Sequence, residues 1–496
     1  MRIAIIGAGP GGLCTAKRLL DEGFDDFVIL ERSDGVGGTW HHNRYPGCEC
    51  DVPSALYSFT WAIKPDWSKP YGTQPEILEY LQGVARDFGI LPHCRFGAHV
   101  TRAVWDERDA KWTLTLESGE TLEAEVVVSA IGMFNDLAWP EIDGLDRFTG
   151  TTFHSARWNW DHDLTGERVA VLGSAASAVQ FVPEIVKTAG QVHLFQRTAN
   201  WVSPKPDTPY TGEELDAFRV DPTPVLKFRD EVLSNMEKGL TFADAKVNAE
   251  REAAVLAAID VVRDPEVRRK LRPTHPFGCK RPLFSNLYYP AFNEPNLELV
   301  TDPIECVTEH GVVTTDGKTR EVDTIIIATG FATTKYLSAI DVVGRDGVPI
   351  DKAWNDGAQA YLGIMTSGFP NLFMIYGPNT NATGGLGTWD FEEMVIRFAL
   401  QCIEHLIIEG KQAVDVTVEG YWQYNDELDQ HEALKIYTDP RADNYYRNAH
   451  GRSAANSPFD IRQMWAWLRR PHNPADRPSA ADDGVRPYFG DDLVVS

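Results

Sequence analysis

The sequence opens Met1-Arg2-Ile3-Ala4-Ile5-Ile6-Gly7-Ala8-Gly9-Pro10-Gly11-Gly12 and continues through an apolar-periodic run to Leu20, then Phe27-Val28-Ile29-Leu30-Glu31. Ile3 to Ile6 reads as a short strand buried on both faces. Gly7-x-Gly9-x-x-Gly12 then turns the chain into a helix, and a second apolar strand ends in an acid. Each glycine has a mechanical reason. The first makes the tight turn, the second lets backbone approach a pyrophosphate, and the third lets helix and strand pack closely. Glu31 lies about 20 residues beyond them, where an acid accepts hydrogen bonds from a ribose. Strand, glycines, helix and acid in this order predict a dinucleotide-binding fold.

A second copy of the pattern begins at Val169-Ala170-Val171-Leu172-Gly173-Ser174-Ala175-Ala176-Ser177-Ala178, with alanine at the second and third glycine positions. Alone it is as compatible with an ordinary β–α turn as with a phosphate cradle. An internal repeat decides between them. Gly119-Glu-Thr-Leu-Glu-Ala-Glu-Val-Val-Val-Ser-Ala-Ile-Gly132 aligns without gaps to Gly317-Lys-Thr-Arg-Glu-Val-Asp-Thr-Ile-Ile-Ile-Ala-Thr-Gly330. Each is a polar hairpin turn, an acidic step, a buried β-branched strand and a closing glycine, and each follows one glycine motif. The expected architecture is α/β, with two Rossmann-like dinucleotide-binding domains. Between residues 206 and 272 charged, alanine-rich segments with helical period (Glu213 to Phe218, Phe228 to Gly239, Ala243 to Val262) predict a helical insertion in the second. Asp264-Pro265 is an N-cap with proline at the first helical position, opening Glu266 to Leu271. The expected division is 1–145 and 326–496 for the first domain, 146–205 and 273–325 for the second. Phe391 to Ile408 reads as an amphipathic helix, and the Pro- and Asp-rich end from Pro471 as a surface-hugging tail.

Composition fits this. A length of 496 residues allows about three folding units. Hydrophobic residues at 43% and charged residues at 24% exclude disordered and fibrous classes. Lys plus Arg is 47 against 72 Asp plus Glu, a formal charge of −25 that repels nucleic acid and anionic membranes. No uncharged apolar run approaches the ~20 residues of a spanning helix. Seven irregularly spaced cysteines argue against a disulfide framework. With an opening that passes straight into a strand, the expected location is a reducing cytoplasm.

The stretch Gly37-Gly38-Thr39-Trp40-His41-His42-Asn43-Arg44-Tyr45-Pro46-Gly47-Cys48-Glu49-Cys50-Asp51 has neither helical nor strand period. Irregular segments this rich in aromatics, His and Cys are usually functional. A zinc site from His41, His42, Cys48 and Cys50 is disfavoured, because no paired ligand spacing exists. Cys48-x-Cys50 also lacks the two intervening residues of redox motifs.

Gly38-x-Trp40-x4-Tyr45-Pro46-Gly47-x3-Asp51 resembles the short signature of type I Baeyer–Villiger monooxygenases, which are class B flavoprotein monooxygenases. Phe148-x-Gly150-x3-His154-x3-Trp158 resembles their longer signature, although Asn159 follows where that family usually has Pro or Asp. The resemblance implies FAD on the first fold, NADPH on the second and an active site between them. It implies FAD contacts from Gly7, Gly9, Gly12, Glu31, Gly38, Thr39, Trp40, Asp51, Tyr57 and Val100, with plain core packing as the rival reading of Tyr57 and Val100. His154 and Trp158 would act at an interdomain hinge. Arg281, in His275-Pro276-Phe277-Gly278-Cys279-Lys280-Arg281-Pro282, would be the catalytic arginine, partnered by Asp51.

Phe195-Gln196-Arg197-Thr198 ends the second strand of the second fold, where an NAD-specific protein carries an acid for the ribose. Arg197 there favours the 2′-phosphate of NADPH, with Thr198 and Lys280 as further donors and Gly173, Ser174 and Ala175 as the phosphate turn. The expected reaction converts a ketone and O2 to an ester or lactone through a C4a-peroxyflavin. The close alternative is oxygenation of amines or sulfides. A pyridine-nucleotide disulfide reductase would need a redox cysteine pair, and a flavin-bearing scaffold would not consume NADPH.

Overall fold

The computed structural model describes residues 1–239, 245–337, 339–355, 357–382, 387–441, 444, 446–448, 450–469 and 492–496. Ile3–Ile6, buried at all four positions, is the middle of a five-stranded parallel sheet. Phe27–Leu30 and Cys94–Arg95 lie to one side, Val126–Ser129 and Leu372–Met374 to the other. The central strands are continuously apolar rather than alternating because both faces are covered: helices pack on Ile3, Ile5 and Val128, and the antiparallel strands Val100–Asp106 and Lys111–Leu116 pack on Ala4, Ile6 and Val127. Pro10–Asp21 follows the glycine turn as expected, with proline in its first turn.

The second sheet repeats the plan. Arg168–Leu172 is central, Gln191–Phe195 and Leu297–Val300 lie on one side, and Thr324–Ile327 and Thr151–His154 on the other, all parallel. Thr324–Ile327 pairs in this sheet throughout, so the strand straddles the boundary expected between 325 and 326. The repeat is visible atom by atom. Gly119 and Gly317 turn their hairpins at φ +85° and +78°, each N–H donating at 2.8 Å, to Leu116 and Thr314 carbonyls. Gly132 and Gly330 close the copies at φ +68° and +79°. A left-handed residue at all four places explains why glycine recurs there.

The insertion forms helices Gly212–Val220, Thr223–Gly239, Ala245–Ile259 and Pro265–Leu271. The second starts before the expected Phe228, because Asp221 accepts from Thr223 N–H at 3.0 Å and Pro224 suits the first turn. Residues 243–244 of the expected third helix lie outside the described residues. Asp264 caps the fourth, accepting from Glu266 and Val267 N–H groups at 2.7 and 3.2 Å. The amphipathic helix spans Thr388–Glu409. Most of the expected tail, 471–491, lies outside the described residues. Its end does hold to the body of the protein: Leu493–Val495 pairs antiparallel with Val414–Val416.

Candidate functional site

A cavity of about 850 Å³ opens between the two sheets at the carboxyl ends of their strands, the usual ligand position in open α/β folds. Its first-fold wall includes Gly7, Gly9, Glu31, Gly38, Thr39, Trp40, Asp51, Tyr57 and Val100; its far wall includes Ala176, Gln180, Phe277 and Arg281.

Gly7 sits at φ +104° and donates to Leu30 O at 2.9 Å. A Cβ on Gly12 would stand 2.0 Å from Gly7 O, so glycine alone permits this helix position. A Cβ on Gly9 would meet protein no nearer than Gly38 Cα at 3.5 Å, so what Gly9 keeps open is ligand space. Gly9 caps Pro10–Asp21 without any side-chain hydrogen bond, leaving the helix start to an anion. Glu31 is buried and accepts from the N–H groups of Ala8 at 2.7 Å and Ser33 at 2.8 Å. An uncapped helix start beside a fixed acid suits a pyrophosphate and a ribose, and so fits FAD.

Gly38, at φ +54°, opens the short helix Thr39–His42. Trp40 Nε1 donates to Tyr57 Oη at 3.0 Å, and the Tyr57 ring lies 4.2 Å from that of Trp389. Val100 is buried at the start of Val100–Asp106. Both Tyr57 and Val100 pack and line the cavity at once.

The Tyr45-Pro46-Gly47 stretch does something its sequence did not disclose. It is the seat of the second fold's helix Ala176–Ile185. Tyr45 Oη donates to Gln180 Oε1 at 2.9 Å, and Gln180 Nε2 donates to Glu49 O at 3.0 Å. A Cβ on Gly47 would approach Gln180 O to 2.9 Å. Glu49 also pairs with Lys69 and with the buried Lys205, and Lys69 reaches Asp207 at 3.0 Å. No local pattern foretells these contacts.

Beside them, Arg281 Nη2 donates to both Asp51 oxygens at 2.7 Å. The two residues come from opposite folds. Arg281 rides on a loop pinned on both sides. Phe277 N–H donates to Glu252 Oε1 at 2.8 Å, Asn444 Nδ2 to Cys279 O at 2.9 Å, and Leu283 N–H to Trp201 O at 2.8 Å. Cys48 and Cys50 are buried thiols, and burial pushes Cys48 up to about 12. Among the described residues no cluster of three His, Cys, Asp or Glu side chains could hold a metal.

Gly173, at φ +110°, donates to Phe195 O at 3.1 Å, as Gly7 does to Leu30. Ala175 caps Ala176–Ile185 in the extended conformation that Gly9 adopts, which alanine takes without strain. Ser174 is buried, and its carbonyl accepts from Asn200 Nδ2 at 2.9 Å. The position of Glu31 is taken by Gln196, whose amide donates to Lys270 O at 3.0 Å. Arg197 follows, exposed, with Thr198 next to it; Lys280 adjoins Arg281. Gly173, Ser174, Ala175, Arg197, Thr198 and Lys280 lie outside the cavity lining, which reaches Ala176 next to Ala175 and Arg281 next to Lys280. An uncapped helix start with no acid beside it, and arginine at the strand end, fits a phosphorylated nicotinamide dinucleotide.

His154 is buried at the end of Thr151–His154, and its Nδ1 accepts from Ala156 N–H at 3.1 Å. Burial lowers it to about 4, so it is neutral at physiological pH. Its ring lies against Trp139 and Phe331, one from each chain crossing between the folds. Trp158 packs on Phe153 and Phe181 of the second fold. No described helix is long and apolar enough to cross a membrane.

Residues 4–221 match the pyridine nucleotide-disulphide oxidoreductase family. The chain is 39% identical over 433 residues to a Baeyer–Villiger monooxygenase of Pseudomonas aeruginosa, covering 86% of this chain and 81% of that one. It is 38% identical to one of Streptomyces coelicolor, covering 95% and 91%. Its structure is similar to that of OTEMO in complex with FAD and NADP, with a TM-score of 0.86 and 26% identity over 100% of this chain and 99% of the other.

Proposed function

Since this chain belongs to the Baeyer–Villiger monooxygenases, we propose that its substrates are ketones and that Arg281 and Asp51 are its reacting-centre pair. The protein is an FAD- and NADPH-dependent monooxygenase. NADPH supplies the electrons and bound FAD the activation of O2, so that ketone, O2, NADPH and a proton give ester or lactone, water and NADP. We assign 1–145 and 328–496 to FAD, 146–205 and 273–327 to NADP, the boundary lying past the strand Thr324–Ile327, with 206–272 as the insertion, and the enzyme to the cytoplasm.

The turn at Gly7, Gly9 and Gly12 with Glu31 would hold the FAD pyrophosphate and ribose, and Trp40, Tyr57 and Val100 would wall the flavin side. The turn at Gly173 to Ala175 would hold the NADP pyrophosphate, with Arg197, Thr198 and Lys280 on the 2′-phosphate. His154 and Trp158 would hold the crossing between the folds.

The pairing of Arg281 with Asp51 across the domain interface carries this reading. Inserting oxygen beside a carbonyl develops negative charge on oxygen, which the site must hold without giving it a proton. Arginine suits that task, since its guanidinium stays charged at working pH and its donors are directed. Asp51 orients the guanidinium and balances its charge until substrate arrives. Glu49, Lys205 and Gln180 brace the two sides against each other, so the pair meets only when the folds are seated. Ketones, amines and sulfides offered to the purified yellow protein, with NADPH loss and product mass followed together, test the assignment. Esters or lactones are expected; turnover of amines or sulfides alone overturns it.

A further inference from the structure

The helix Thr388–Glu409 lies along Pro10–Asp21, and Glu392 on its second turn faces that contact. Glu392 is 7% exposed, and its Oε2 is buried without a hydrogen-bond partner in the protein. A Cβ on Gly11 would stand 3.5 Å from that oxygen. The carboxyl therefore sits at the first turn of Pro10–Asp21, in the wall of the same cavity as Gly9, Pro10 and Gly11. The family signatures do not include this residue, and the reaction as described makes no use of it.

An acid at an uncapped helix start is an odd choice if it is ionised, since an anionic phosphate belongs there. It is a sensible choice if it is neutral, because a carboxylic acid is a hydrogen-bond donor. The surroundings hold it neutral. On its own helix stand Asp390, bound to Arg229 of the insertion, and Glu393. From Pro10–Asp21 it faces the Cys14 thiol, and Arg18 of that helix engages Glu393 at 3.4 Å. From the signature segment it faces the Tyr57 phenol. Burial, reinforced by Glu393, raises Glu392 to about 8.

We infer that Glu392 is an FAD-binding residue: a neutral carboxylic acid that donates a hydrogen bond to a pyrophosphate oxygen of the cofactor beside Gly11. The inference rests on FAD occupying the first fold. It explains the orphaned oxygen, which acquires its partner when the cofactor is bound. It also makes the grip on FAD pH-dependent, because the ionised side chain would repel the phosphate it serves. If only the protonated form binds, ten per cent of it remains one pH unit above the midpoint, so affinity falls about tenfold.

Two measurements on the holoenzyme test this. Flavin release on dilution, read by the fluorescence of free FAD, gives the dissociation constant between pH 7 and 10. The wild type should weaken about tenfold or more across that range, while Glu392→Gln, which keeps a donor that does not titrate, should stay within about threefold of the wild-type value at pH 7 and remain flat. At pH 9 the wild type should release about one proton with each FAD, read with a pH indicator in weak buffer; this readout needs no variant and stands if Glu392→Gln fails to load flavin. Flavin released at pH 9 without a proton, or the same pH dependence in both proteins, overturns the inference. A yellow wild-type enzyme with flat profiles would do so while leaving FAD binding intact.

Discussion

The two dinucleotide folds share a backbone and differ in their grip. In both, the first glycine is left-handed and donates to the end of the neighbouring strand, Gly7 to Leu30 and Gly173 to Phe195. In both, the next strand closes with an alanine N–H donating at 2.8 Å, Ala130 to Ile6 O and Ala328 to Leu172 O. The divergence lies one helical turn on. At Gly12 the helix passes so near the Gly7 carbonyl that a methyl group would stand 2.0 Å from it. At the matching Ala178 a methyl group is present and fully buried, so that helix stands further back. The acid differs as well. Glu31 is fixed by two backbone donors, whereas Gln196 spends its amide on Lys270 O and brings no negative charge. A close cradle with an acid suits a resident cofactor with a free ribose. A looser one without an acid suits a phosphorylated cofactor that comes and goes.

The sharpest way to break this comparison is to exchange the small residues. Gly12→Ala should yield protein without flavin and with lowered Tm, since overpacking typically costs about 1–3 kcal/mol and the clash here is with backbone. Ala178→Gly should stay folded and yellow, losing only the ~1 kcal/mol of a glycine in a helix. Flavin content and thermal unfolding measure both. A yellow, stable Gly12→Ala would mean that the folds do not differ in closeness.

The next effect concerns the residue that the second fold lends to the first. Arg281→Ala should keep FAD and still be reduced by NADPH, yet form product ~10²–10³-fold more slowly, the usual cost of losing a directed donor at developing negative charge. Arg281→Lys should remain impaired, because its charge lacks the planar fork. Stopped-flow traces separate reduction from oxygenation. Near wild-type product formation in Arg281→Ala would remove Arg281 from catalysis.

Arg197→Ala probes the missing acid more gently. Charge-assisted hydrogen bonds contribute about 1.5–3 kcal/mol each, so KM for NADPH should rise about tenfold or more while that for NADH barely moves. Equal shifts for the two cofactors would show that Arg197 does not read the phosphate.

The smallest effect lies in how the folds carry their acids. In the C-terminal part of the first, burial raises Asp415 and Glu432 to about 7. In the second, Arg320 foremost holds Glu298 down to about 2. The signs are opposite. The raised pair favours folding below the ordinary carboxylate range, and that contribution is lost as pH rises through about 7. Glu298 favours folding above the ordinary carboxylate range, and that contribution is lost as pH falls toward 2. Glu432→Gln should flatten the fall in Tm between pH 5 and 8 by a few degrees, at roughly 2–4 °C per kcal/mol. An unchanged slope would show that Glu432 ionises as freely in the folded chain as in the unfolded one.

What was legible in the sequence follows from what is local. Ile3–Ile6, Phe27–Leu30 and the Gly119 and Gly317 hairpins impose their own period or turn chemistry, and the structure repeats them. Asp51 and Arg281 lie 230 residues apart, and no periodicity links them; only the family signatures brought them together. Gln180 under Tyr45, Arg229 on Asp390 and Glu392 beside Gly11 are side chains meeting across elements, which leave no trace in spacing. The last strand, Leu493–Val495, was hidden by the Pro- and Asp-rich composition just before it.

The order in which the sheets take their strands has a consequence for biosynthesis. All five strands of the second sheet come from one uninterrupted stretch, Thr151 to Ile327, whereas the first sheet takes four before residue 130 and then waits for Leu372–Met374. On the ribosome the second unit can therefore close while the first still lacks an edge and the long helix that covers it. A nascent chain halted after Ile327 should resist protease across 151–327 and leave 1–130 open to cleavage. The same reasoning makes 151–327 a candidate for excision as a free-standing piece, while no N-terminal fragment would carry flavin. Colour should come last in the life of this chain, after nearly all of it has been made.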